Sequence, residues 1–111
     1  MQRLVAFFLL ALVPLIAVAA DAPGVPEFTL TIQDHRFTPT ETTIPADTKV
    51  KLIVVNKDVT AEEFESHDMQ REKIVAGLGT INVFVGPLKA GKYVYFGDFH
   101  RATAQGTIVA K

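Results

Sequence analysis

A chain of 111 residues with 11 basic and 12 acidic side chains, a formal net charge of −1 and no cysteine lacks the basic patch or stripe that a nucleic-acid partner would require. It also excludes disulfides and thiolate metal ligands. The length fits one domain with a real but modest hydrophobic core.

In residues 1–20 only Arg3 is charged, Leu4 to Val18 forms an apolar stretch interrupted by Pro14, and Ala17-Val18-Ala19 supplies small residues at its exit. This pattern reads as a secretory signal peptide cleaved after Ala19 or Ala20. A spanning helix needs about 20 apolar residues, and this run is shorter and carries a proline near its middle. The mature chain is therefore expected outside the cytoplasm, in the periplasm, and not membrane-spanning after cleavage.

Residues 21–26, with two prolines and a glycine, read as a short tether, and residues 27–111 as the domain. Phe28, Leu30 and Ile32 alternate with polar neighbours, the period-2 pattern of a half-buried strand. Asp34 to Phe37 is expected to turn the chain, and Pro39 keeps Thr38 extended. Thr42 to Ile44 reads as a brief edge strand ended by Pro45-Ala46-Asp47. Val50 to Val55 is a nearly continuous apolar run, expected as a central strand covered on both faces.

The acidic segment from Val59 to Gly77 is longer than an ordinary hairpin connection. Phe64 reads there as a core plug in a short strand, Asp68 to Arg71 as a turn and Lys73 to Val75 as another strand. Thr80 to Val85 alternates with Ile81, Val83 and Val85 on one face. Tyr93 to Phe96 and Gly106 to Val109 complete the set. Seven or eight short strands without a long amphipathic helix predict an all-β, two-sheet Greek-key β-sandwich.

Two stretches carry candidate metal chemistry. The first is Glu62-Glu63-Phe64-Glu65-Ser66-His67-Asp68-Met69 with Glu72; carboxylate and imidazole suit hard or borderline cations, and thioether suits cuprous copper. If Phe64 is buried, Glu63 and Glu65 share the opposite face of the strand. The second is Asp98 and His100, two residues apart on the loop before the last strand. The expected metal set is Glu63, Glu65, Asp98 and His100 at one pole, with Glu72, His67 and Met69 in reserve. His35 reads as a turn residue with a structural role, Gly97 as a ligand position or a tight bend, and Tyr93, Tyr95, Phe96 and Phe99 as core and sheet packing. No Gly-x-Ser-x-Gly, phosphate loop or His-Glu-x-x-His string occurs, so hydrolases and nucleotide enzymes have no support.

The order of these parts resembles the cupredoxin family over essentially all of the mature chain. In that family an asparagine-bearing strand end precedes a first histidine ligand, and a later Tyr-x-x-Cys-x-x-His-x-x-x-Met-x-Gly segment supplies the rest. Here Asn56-Lys57-Asp58 stands at the first place and Tyr93 to Gly106 at the second. The resemblance puts Gly97 on the cysteine, His100 on the second histidine, Ala104 on the methionine, and the first histidine near Glu62 or Glu63. It implies a cupredoxin-like fold without type 1 blue copper, whose ligand set is His₂Cys with an axial methionine.

Glu63-Phe64-Glu65-Ser66, Arg71-Glu72-Lys73, Val85-Gly86-Pro87-Leu88 and Phe96 to His100 with Thr103 to Gly106 are similar to the cupredoxin-like domains that accompany bacterial iron permeases, of the EfeO type. That resemblance implies a periplasmic protein handling iron or copper ions beside an inner-membrane iron permease and other periplasmic iron-uptake components, at most assisting ferrous-iron oxidation. The competing expectations are a metal-free interaction module on the same scaffold and a copper electron-transfer protein.

Overall fold

A computed structural model describes residues 2, 5, 6, 11–14 and 24–111. The cleavage position expected after Ala19 or Ala20, most of the leader and the first half of the tether lie outside the described residues. Among the described residues no helix is long and apolar enough to cross a membrane.

Nine strands follow one another: β1 (Glu27–Gln33), β2 (Arg36–Thr38), β3 (Glu41–Ile44), β4 (Val50–Asn56), β5 (Glu62–Ser66), β6 (Arg71–Val75), β7 (Thr80–Val85), β8 (Gly91–Gly97) and β9 (Gln105–Ala110), with one 3₁₀ turn at Asp98–His100 before the last. They form two sheets, ordered β2-β1-β4-β7 and β3-β9-β8-β5-β6. Pairing is antiparallel except for β1 with β4 and β3 with β9. The chain crosses repeatedly between the sheets, as the expected β-sandwich requires.

Alternation decides which side chains meet between the sheets. Leu30 and Ile32 of β1, Val50, Leu52 and Val54 of β4, and Val83 and Val85 of β7 line one inner face. Phe64, Val75, Tyr95, Ile108 and Ala110 line the other. The outer face of β4, expected to be covered, is only half-buried at Lys51, Ile53 and Val55. Among the described residues no second layer lies on it, and Lys51 instead reaches over the exposed Phe84 ring of β7.

The early turn is tighter than the expected Asp34 to Phe37. Only Asp34 and His35 lie between paired strands, both at positive φ (53° and 56°), as in a two-residue type I′ hairpin. Arg36 already pairs with Gln33, which turns Phe37 into the core. There Phe37 meets Tyr95 edge-on at 4.9 Å between ring centroids, and Tyr95 stacks on Phe64 at 5.2 Å. Phe37 belongs to the four-stranded sheet and its two partners to the five-stranded one, so this aromatic trio ties the layers together.

β5 and β8 are hydrogen-bonded neighbours, with Phe64 opposite Gly97. The first residue of β5 and the last of β8 therefore lie at the same end of the sandwich as the β1–β2 turn. Replacing the fully buried ring in Phe64→Ala is expected to cost about 3–5 kcal/mol, read by urea denaturation. A loss below about 1 kcal/mol would show that the trio does not join the sheets.

Candidate metal centre

Strand parity sorts the acidic run. Glu62, Phe64 and Ser66 face inward on β5, and Glu63 and Glu65 face outward. Glu62 is 1% exposed, and a carboxylate so placed is costly unless hydrogen-bonded. Its Oε1 accepts the backbone N–H of Glu63 at 3.0 Å and of Phe99 at 2.8 Å. Its Oε2 lies 2.5 Å from His100 Nδ1.

Gly97 makes room for this carboxylate. Its backbone is ordinary extended chain (φ −90°, ψ 112°), so the glycine does not serve a bend. A Cβ there would stand 2.5 Å from Glu62 Cδ and 2.7 Å from Ala104 Cβ. Glu62 and the buried Ala104 thus fill the space beside the position that the resemblance assigned to a cysteine.

His100 ends the 3₁₀ turn. The N–H groups of Thr103 and Ala104 donate to its carbonyl at 3.2 and 2.8 Å, and Gly97 N–H donates to the carbonyl of Ala104 at 2.8 Å. The His100 ring lies flat against His35, with centroids 3.6 Å apart and planes 11° apart. His35, Glu62 and His100 each offer one ligand atom within 4.8 Å of the others. Both rings are half-buried, so the group is walled by the core on one side and reachable from solvent on the other.

Asp58 braces the histidine pair from the β4–β5 loop. Its carboxyl is held below the ordinary range, first because it accepts the His35 backbone N–H, against the opposing effect of burial, and then by the Asp34 N–H and the nearby His35 and His100 rings. Phe99, expected as packing, is 49% exposed. Its backbone N–H points inward to Glu62 Oε1, while its ring stands outside.

Among the residues expected as a metal set, His100 turns inward to Glu62, and Glu63 and Glu65 join Glu72 on the outer face, again with ligand atoms within 4.8 Å. Asp98 pairs with Arg101. His67 is exposed, 3.6 Å from Glu65. Met69 is buried in the core with its N–H on Ser66 Oγ, apart from both groups. The four leading residues thus do not share one site: Glu63 and Glu65, two apart on β5, face outward, whereas His100, on the 3₁₀ turn, faces Glu62 on the inner side. Glu62 and His35 were not among the expected ligands. The burial expected for Phe64 already places Glu62 on the inner face.

The residues present do not fit a blue-copper centre. No sulfur stands at Gly97 or Ala104, and a cysteine side chain at 97 would collide with Glu62. Two imidazoles and a carboxylate suit a borderline divalent cation instead.

The family model described as cupredoxin-like domain matches residues 5–110. An uncharacterized protein of Rickettsia prowazekii (strain Madrid E) is 54% identical over 83 residues, in an alignment spanning 75% of this chain and 66% of that protein. The chain thus spans just under two thirds of that relative's length. Among solved structures, auracyanin A, a "blue" copper protein of Chloroflexus aurantiacus, matches with a TM-score of 0.67 at 16% identity, covering 79% of this chain and 100% of the other. Amicyanin of Paracoccus versutus matches at 0.61 and 18% identity, covering 82% and 86%. The metal binding domain of the Cu(I) exporting P-type ATPase of Streptococcus pneumoniae D39 matches at 0.68 and 6% identity, covering 83% and 91%. At these identities the structural likeness is one of fold, a cupredoxin-like all-β sandwich.

The outer carboxylates repel one another. Partial burial, then the hydrogen bond and charge of Glu72, with Asp98 and Glu65 nearby, push the Glu63 carboxyl from an ordinary 4.5 up to about 7. Because the folded chain holds this proton more tightly than the unfolded one, the associated stability is full below 4.5 and is lost as pH rises towards 7. Glu63→Gln is therefore expected to raise Tm at pH 8 and leave it unchanged at pH 4, by calorimetry. A lower Tm at pH 8 would mean that the carboxylate is stabilised where it stands.

Proposed function

The chain belongs to the cupredoxin-like domain family, and from that premise we propose that it is an exported, periplasmic protein that binds iron or copper without a blue-copper centre. In this reading it serves ferrous-iron uptake through an inner-membrane iron permease and its periplasmic partners. The observation that carries the metal-binding reading is the convergence of His35, Glu62 and His100 within ligand distance of one another.

Chemistry supports both metals. A two-histidine, one-carboxylate set with further positions open to water is the donor pattern of non-haem ferrous sites, and imidazole with carboxylate also suits cupric ion. The buried carboxylate brings one negative charge to a site of low dielectric, where it offsets much of the charge of a divalent ion. The half-buried rings leave a route for the ion to enter and leave, which suits a carrier better than a closed structural site. Copper is favoured by what the auracyanin and the ATPase domain are named for. The iron-uptake setting is supported by the strings similar to EfeO-type domains, and the export by the leader-like residues 1–20.

Titration calorimetry of the metal-free protein with cupric ion, and with ferrous ion under anaerobic conditions, tests the proposal. One ion per chain is expected, bound more tightly than about 100 µM, near −5.5 kcal/mol. Glu62→Gln and His100→Ala are expected to weaken binding at least tenfold. No binding above that limit, or a site lost in Glu65→Gln and retained in His100→Ala, contradicts the assignment.

A further inference from the structure

We infer that Asp58 is a positioning residue for His35, holding the β1–β2 turn in its left-handed backbone so that the ring stands on His100 as the third ligand; the inference rests on the metal-binding reading above. Asp34 and His35 both have positive φ, a region that non-glycine residues seldom occupy. Such backbone persists where surrounding structure imposes it and gathers at functional sites. The usual residues of a type I′ loop, Asn-Gly or Asp-Gly, are absent here. His35 occupies the second position, where a glycine would be the easier choice.

A single carboxylate spans the strained pair. Asp58 Oδ1 accepts the Asp34 N–H at 2.8 Å, and Oδ2 accepts the His35 N–H at 3.0 Å. The same Oδ2 lies 3.4 Å from His35 Nδ1, so backbone and ring of one residue are addressed by one oxygen. Asp58 is itself anchored. Its N–H donates to Asn56 Oδ1 at 3.0 Å, and its carbonyl accepts from Leu78 at 2.8 Å. Asn56 is 1% exposed and donates through Nδ2 to the carbonyls of Thr60 and Ala76. A strut thus runs from the buried end of β4, through Asp58, to the His35 ring that lies on His100. Partners of this kind orient ligands and commonly change metal affinity 10–100-fold when removed.

The test compares the native full chain with Asp58→Ala, His35→Ala, the double variant, and Asp34→Gly/Asp58→Ala, in which glycine relieves the backbone without restoring the carboxylate. In the metal-free protein, NMR cross-peaks between the His35 and His100 rings are expected to vanish in Asp58→Ala and to return with Asp34→Gly. Cupric-ion affinity is expected to fall about 10–100-fold in Asp58→Ala, no further when His35→Ala is added, and to recover in part with Asp34→Gly. Ring cross-peaks intact in Asp58→Ala, or additive losses with His35→Ala, overturn the inference. If the native protein binds no ion while the cross-peaks still depend on Asp58, the metal reading fails and the positioning role stands.

Discussion

One buried carboxylate organises this end of the molecule. Glu62 sits inside the sandwich beside Phe64, where an ionised or even a neutral carboxyl is tolerated only with its lone pairs occupied. Two backbone N–H groups and one imidazole supply that, and two of the three partners come from the short turn after β8. The turn must therefore fold back over β5, and Gly97 must lack a side chain for the carboxylate to fit. The arrangement of His100 follows from satisfying Glu62. Buried ion pairs contribute little net stability against an apolar replacement, so the contact is better understood as fixing geometry than as holding the fold together. The aromatic trio and the aliphatic faces of β1, β4 and β7 do that.

Placing a carboxylate beside the position of a thiolate changes the chemistry available to the fold. A thiolate and thioether favour soft, low-valent metals, whereas carboxylate and imidazole favour harder, divalent ones. The second acidic group lies on the reverse face of the same strand and is exposed in part, with three carboxylates crowding one another and no buried partner among them. Partial burial together with repulsion raises the proton affinity of Glu63, whereas the inner carboxyl is satisfied by directed hydrogen bonds. Adjacent glutamates in sequence thus have opposite electrostatic situations, and the pleat of the strand is the cause.

Much of the architecture was legible from periodicity. Leu30 and Ile32, then Val83 and Val85, alternate cleanly and are buried as alternation demands, and Phe64 is the core plug that its setting among acids suggested. Two features escaped for physical reasons. The hairpin at Asp34-His35 carries no glycine, because its backbone is stabilised by a carboxylate 24 residues away, which no local pattern can announce. Glu62 stands outside the expected metal set although the burial of Phe64 puts it on the inner face, since its pairing with His100 across 38 residues is a tertiary event. The resemblance did locate Gly97 and Ala104 as the sites without sulfur, and the closeness of Glu62 and Ala104 to Gly97 explains why no side chain fits at 97.

The most direct test of this account is the proton between Glu62 and His100. In the metal-free protein labelled with ¹⁵N histidine, the His100 Nδ1 proton is expected far downfield of ordinary imidazole N–H signals, slow to exchange, and shifted back in Glu62→Gln. A His100 ring whose Nδ1 proton exchanges freely and does not respond to Glu62→Gln would contradict the central claim that the buried carboxylate builds the site.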